Sequence, residues 1–214
     1  MTEKIIVLDT ETTNSLDDPI CYDVGFIVCD FEGNIYSKHS FVNADVFCNN
    51  ELMDSAFFKD KIPTYWEQIK EGERTLTSFK NIKWTLRHIM KENEITKVFA
   101  YNCRFDYISL ATTQRYLTKS KYRWFFPYGT EFHDILGLSR KVLGKDTIYR
   151  EFCKANNYLT SYNGNRYTAE IVAQYLFDKN FTEEHTALAD CEIEYKILLK
   201  CRELGGANFE TKMW

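Results

Sequence analysis

No stretch of the sequence approaches the ~18 consecutive apolar residues that a membrane-spanning helix needs, so a membrane protein is not expected. The opening residues, Met-Thr-Glu-Lys, carry no cationic segment ahead of a long apolar one, which argues against a secretory signal. The seven cysteines lie at 21, 29, 48, 103, 153, 191 and 201, and none forms a CxxC pair. Neither a zinc knuckle nor a disulfide framework is therefore expected. Reduced thiols point to a cytoplasm, bacterial or, for a viral protein, that of the host cell. Excess positive charge is also lacking: 27 Lys and Arg against 31 Asp and Glu leave a net charge of −4. That excludes coating an anionic polymer by bulk charge. It leaves open an enzyme whose acids are neutralised by bound metal. There are only three prolines, no internal repeats and no low-complexity segment. Nothing splits the chain, so one domain is expected over 1–206, followed by a tail at 207–214.

What is present is a chain of 214 residues, 44% apolar, enough for one α/β domain with a buried core. Its organising stretch is Ile5-Ile6-Val7-Leu8-Asp9-Thr10-Glu11-Thr12-Thr13. A short continuous apolar run reads as a strand buried on both faces. Residues i and i+2 of a strand share a face, so Asp9 and Glu11 project together from its end. Two adjacent carboxylates repel and resist desolvation, and a hard divalent cation between them relieves both costs. Half of a metal site and a strand fraying into an acidic loop are the two readings of this stretch alone.

Residues 21–29 read as a second strand and 35–42 as a third, joined by the turn Phe31-Glu32-Gly33-Asn34 in an antiparallel hairpin. The 43–74 region looks irregular, with helical patches at 53–58 and 63–69. Thr75 reads as the cap of a helix through Lys91, with Leu76, Phe79, Ile82, Leu86, Ile89 and Met90 at helical spacing and Lys80, Lys83 and Arg87 on another face. A fourth strand at 97–101 leads through Asn102 to Asp106 and a helix. Arg115, Lys119, Lys121 and Arg123, interleaved with Tyr116, Tyr122 and Trp124, form the most basic and aromatic segment, suited to backbone contacts and base stacking or to a solvated loop. A fifth strand at 130–135 ends at Asp134, which reads as a capping acid. His39, His88 and His133 read as packing or surface residues. Helices follow at 136–143, 147–156 and 169–177, with a polar loop or small hairpin at 157–167. A last helix spans 183–202, and Met213-Trp214 close the tail.

Three strands thus end in acid, and the last helix brings His185 and Asp190. Asp9-x-Glu11-Thr12-Thr13, Asn102-x-x-Phe105-Asp106 and His185-x4-Asp190, in this order, resemble the three motifs of the DEDDh (DnaQ-like) 3′–5′ exonucleases of the ribonuclease H-like superfamily. Val24-Gly25-Phe26-Ile27-Val28 resembles that family's second strand. Asp134-Ile-Leu-Gly-Leu-Ser-Arg140 resembles its Asp-Thr-Leu-x-Leu-Ala-Arg segment. The likeness spans nearly the whole chain. It departs at Tyr101, where the family often has His, at Asn14, where it often has Gly, and in the longer approach at 157–177.

The resemblance implies a mixed five-stranded sheet, the first three strands antiparallel, with helices on both faces. It implies a metal-dependent exonuclease that hydrolyses nucleic acid 3′ ends to nucleoside monophosphates, with single-stranded DNA preferred. RNA 3′-end trimming, or an accessory proofreading role beside a DNA polymerase or other replication protein, are the alternatives. Asp9, Glu11, Asp106 and Asp190 would hold two Mg2+ ions, with Mn2+ as a substitute, and His185 would be the general base. Thr12, Leu16, Asn102 and Phe105 would touch the terminal nucleotide. His185 lies five positions before Asp190, and at about 100° per residue the two diverge around a continuous helix. His185 is therefore expected on the loop or first turn entering the helix, with Asp190 inside it.

Overall fold

The computed structural model describes residues 2–14, 16–118, 122 and 124–205. The elements in chain order are β1 (Lys4–Thr13), β2 (Ile20–Asp30), β3 (Ile35–Asn43), α1 (Ala44–Phe47), α2 (Asn50–Met53), a 3-10 turn (Lys59–Lys61), α3 (Ile62–Glu71) and β4 (Thr75–Thr77). They continue as α4 (Phe79–Glu92), β5 (Lys97–Ala100), α5 (Cys103–Thr118), β6 (Glu131–Asp134), α6 (Ile135–Leu143), α7 (Thr147–Ala155), α8 (Ala169–Leu176) and α9 (Ala187–Gly205). The sheet order is β4-β3-β2-β1-β5-β6. β1, β2 and β3 pair antiparallel, while β5 and β6 run parallel to β1. This is the mixed α/β, ribonuclease H-like architecture, with six strands instead of five.

The extra strand corrects the expected start of the fourth helix. Thr75–Thr77 pairs parallel with Phe41–Asn43 at the sheet edge. Ser78, not Thr75, caps α4: its side chain accepts the Asn81 backbone N–H. Three residues are too few for an alternating pattern, and two of them are β-branched threonines that serve strand and cap equally well. Helix α9 likewise begins at Ala187 and not near Glu183. In the 43–74 region the first helical patch lies earlier than expected, at α2, while Pro63 sits in the first turn of α3 as its fixed φ favours. Residues 157–167 form a loop closed by a single bridge between Leu159 and Asn165. Lys119, Lys121, Arg123 and the tail with Met213 and Trp214 lie outside the described residues.

The alternation of β1 divides the core. Ile5 and Val7 face α6, α7, α8 and α9, whereas Ile6 and Leu8 face α4 and α5. A third cluster, with Tyr22, Val42, Phe47, Met53 and Tyr65, fixes the 43–74 region onto the sheet end. Among the described residues no helix is long and apolar enough to cross a membrane.

Candidate active site

At the C-terminal end of β1 the alternation continues into the acids. Asp9 and Glu11 extend the Ile5/Val7 face towards α9, and Thr10 extends the opposite face towards α5. Asp190 stands in the first turn of α9. Ligand oxygens of Asp9, Glu11 and Asp190 lie within 4.8 Å of one another. Gly25, opposite Asp9 in the β1–β2 register, permits this approach. A Cβ there would lie 2.3 Å from the carbonyl carbon of Ala187, so only glycine lets the start of α9 rest on β2. The Cys191 thiol then donates to the Gly25 carbonyl oxygen at 3.2 Å.

Asp106 enters from the first turn of α5 and is buried. Its Oδ1 accepts the Thr10 hydroxyl at 2.9 Å. Its Oδ2 is buried with no hydrogen-bond partner. A buried, unsatisfied carboxylate oxygen is costly, and it fits the role of a ligand to a cation. Asn102, at φ 62°, makes the left-handed turn into α5. Its N–H donates to Asp134 Oδ1 at 2.9 Å, and Asp134 also accepts the Leu136 and Gly137 N–H groups as cap of α6. Asp134 is therefore a brace between two helix starts.

Burial and mutual repulsion hold these carboxyls protonated above the ordinary range. Burial comes first in each case, pushing Asp190 up to about 7, Asp106 to about 8 and Glu11 to about 9. Asp9 is raised strongly, first by burial and next by the charge of Glu194. Glu194, buried one helical turn beyond Asp190, is the carboxylate the sequence reading missed. It accepts the Tyr101 N–H at 3.3 Å, and its i+4 relation to Asp190 was the available signal. Glu183 was also missed; it lines the cleft and burial raises it to about 7. Six carboxylates, Asp9, Glu11, Asp106, Glu183, Asp190 and Glu194, line one cleft, and such a cluster is the donor chemistry of a hard-metal site.

The acids lie in a cleft of about 580 Å³. Asn102 and Phe105 line it, as do Arg140 and, from the 157–168 loop, Arg166. Thr12 and Leu16 do not: Thr12 follows a register shift in the β1–β2 pairing, and Leu16 is 80% exposed in the next turn. His185 also lies outside the lining. It precedes α9 at φ 48°, in a left-handed turn, while Asp190 is inside the helix. Its ring stacks on Phe58 at 4.4 Å and 12°. Its Nδ1 is 3.7 Å from Glu183. The Lys61 ammonium bonds the backbone carbonyls of Glu184 and His185. Burial, then the Lys61 charge, lowers the imidazole's affinity for a proton.

A buried network anchors this loop. Asp23, opposite Glu11 in the register, accepts the Tyr65 hydroxyl at 2.6 Å, pairs with Arg74 at 2.9 Å and accepts the Ala187 N–H at 3.1 Å. One carboxylate thus caps the first N–H of α9 and ties it to the 43–74 region.

No family model matches the sequence, and no curated protein matches it. Solved structures do match in fold. A full-length 3′-exonuclease superposes with a TM-score of 0.60 at 12% identity, covering 95% of this chain and 83% of its own. E. coli exonuclease I in complex with a dT13 oligonucleotide superposes with a TM-score of 0.62 at 12% identity. That match covers 94% of this chain and 41% of exonuclease I, so the present chain spans under half of that protein. An ExoI/SSB-Ct complex gives 0.61 at 12% identity. At such identity the likeness establishes the fold: the chain has the ribonuclease H-like architecture found in solved 3′-exonucleases, with its acids at the end of β1.

Proposed function

We propose that the protein is a metal-dependent 3′–5′ exonuclease that releases nucleoside monophosphates from nucleic acid ends, preferring single-stranded DNA. The observation that carries this reading is the meeting of Asp9, Glu11 and Asp190 within 4.8 Å, beside the unpartnered Oδ2 of Asp106. Asp9, Glu11, Asp106 and Asp190 would hold two divalent cations, Mg2+ or Mn2+. Such ions supply an activated water and a clamp on the attacking and leaving oxygens of an in-line displacement.

The remaining steps belong to the chain itself. Arg140 and Arg166 offer fixed positive charge to the backbone phosphates in the cleft. Phe105 presents a half-buried ring to the terminal base, and Asn102 presents an amide beside it. Thr12, next to Glu11 on β1, and Leu16, exposed in the following turn, would meet the terminal sugar and base. His185 takes the proton of the attacking water, and to reach it the imidazole leaves Phe58. Burial and the Lys61 charge lower its proton affinity, which favours the neutral form that a general base needs. The preference for single-stranded DNA is supported by the solved exonuclease I complex with dT13. Use of a metal is supported by a zinc-bound exonuclease I–ssDNA structure of the same fold.

End-labelled single-stranded DNA and RNA, incubated with Mg2+, Mn2+ or EDTA, test the proposal. A one-nucleotide ladder from the 3′ end is expected with either metal and none with EDTA, with DNA trimmed faster. Asp9→Ala should lower the rate by roughly 10²-fold or more, the scale of losing one charge-stabilising group. A purified Asp9→Ala variant that trims like wild type would sink the reading. Cutting of a circular substrate would show an endonuclease instead.

A further inference from the structure

Helix α4 buries Phe79, Ile82, Leu86 and Met90. Its other side forms one wall of a second cavity, of about 700 Å³, closed by the C-terminal half of α5. Lys80, Lys83 and Arg87 line that cavity together with Trp84. Three cations at i, i+3 and i+7 crowd one wall, and like charges on a helix at i, i+4 destabilise it. Burial and then the Arg87 charge lower the proton affinity of Lys83. Among the described residues no carboxylate forms an ion pair with any of the three. Lys83 donates instead to Gln114 at 3.0 Å. Asp45, the acid of the wall, accepts the Phe79 N–H at 2.9 Å. Trp84 is 64% exposed, and its ring lies flat on His88, 5.0 Å apart at 6°. In a chain of net charge −4, this wall is a local reversal of sign that carries an aromatic face. Cations beside an open aromatic ring are the elements of a single-strand platform.

Helix α5 links this cavity to the acidic cleft. Asp106 is in its first turn, and Gln114, Leu117 and Thr118 line the cavity at its far end. At 1.5 Å per residue the separation along the helix is roughly 12–18 Å. A stacked strand rises 3.4 Å per nucleotide, so about four or five nucleotides bridge it.

We propose that the α4–α5 cavity is a second binding surface for the strand whose 3′ end enters the cleft, with phosphates on Lys80, Lys83 and Arg87 and a base on Trp84. The proposal rests on the exonuclease reading, which supplies the strand. An acidic peptide shares the charge, but it leaves the Trp84 face and the α5 connection without a purpose.

The test compares 5′-labelled dT12 with dT3 by fluorescence anisotropy in Ca2+, over a range of salt, for the intact chain, the triple variant K80Q/K83Q/R87Q and Trp84→Leu. All four side chains reach solvent, and thermal melting checks that each variant folds. The triple variant should bind dT12 about tenfold more weakly. Its log–log salt slope should be shallower by about 2, at 0.7 per phosphate on three cations. Trp84→Leu should weaken dT12 at least about fivefold. Affinity for dT3, too short to span both sites, should follow wild type in both. Variants that bind dT12 with wild-type affinity and salt slope would overturn the proposal. So would equal losses for dT12 and dT3, or loss of an acidic peptide with dT12 unaffected. Trimming of dT3 in Mg2+ by the unmodified chain tests the cleft alone. If it fails while the length-dependent loss appears, the exonuclease reading falls and the surface stands.

Discussion

His185 shows what a single residue's surroundings add to its place in a motif. The sequence puts it five positions before Asp190 and off the helix, and its φ of 48° agrees. What spacing cannot give is the ring's neighbour. Phe58, 127 positions away, holds the imidazole face to face at 4.4 Å. Such a stack is worth about 0.5–1.5 kcal/mol, and a ring that must reach the cleft gives it up. Phe58→Leu keeps apolar bulk and removes the aromatic face. It should raise kcat for 3′ trimming by about 2- to 10-fold with little change in KM, since 1.4 kcal/mol is a factor of ten. A lower kcat would show that the stacked ring is already in its working position. Thr10, Glu183 and Glu194 make the same point. None is one of the motifs' acids or histidine: Thr10 gains its role from its bond to Asp106 on α5, Glu183 from its place in the cleft lining, and Glu194, one turn from Asp190, from its charge acting on Asp9.

Among the elements, the contact of α9 with β2 assembles the site. Asp9 and Glu11 arrive on a strand, Asp190 on a helix, and neither means anything to the other until α9 lies flat on the sheet. Gly25 is the condition for that, because a side chain there would meet the Ala187 backbone at 2.3 Å. Backbone cannot yield as a flexible side chain can. Gly25→Ala should cost about 2–3 kcal/mol in urea denaturation, within the range for overpacking. It should also lower Mg2+-dependent trimming by moving Asp190 from Asp9. An alanine variant with wild-type stability and rate would show that α9 has more freedom than the packing allows. The sequence reading placed Gly25 in the second strand, without the reason a glycine stands there. β4 was missed for a different cause: a three-residue edge strand is stabilised by pairing with β3, a partner no local pattern names.

For the whole molecule, the clustered carboxyls make folding itself depend on pH and metal. Each binds its proton more tightly in the folded protein than in the unfolded chain, where values near 4 apply. Their contribution to stability is therefore complete below about pH 4. It is lost as pH rises through the folded values, about 7 for Asp190, 8 for Asp106 and 9 for Glu11. In EDTA the melting temperature should fall between pH 5 and pH 9 by at least about 3 °C, the shift that about 1 kcal/mol makes at this chain length. Millimolar Mg2+ should flatten the fall, because the ion binds the ionised, folded site. A metal-free melting curve that does not move over this range would mean the carboxyls are not held as closely as their burial implies.

The residue order by itself determined the strand at 5–8 running into Asp9 and Glu11, the hairpin that follows, and the amphipathic face of α4. It also determined the motif series that resembles the DEDDh exonucleases. These are local or ordered along the chain, and periodicity and turn chemistry express them without a partner. Tertiary structure alone decided that Asp9, Glu11 and Asp190 share one small space, that Asp106 keeps an oxygen without a partner and that the charge of buried Glu194 acts on Asp9. It also decided that His185 rests on Phe58. The reason is physical: burial and Coulomb interaction depend on distance through space, and folding sets that distance between residues as far apart as 9 and 190.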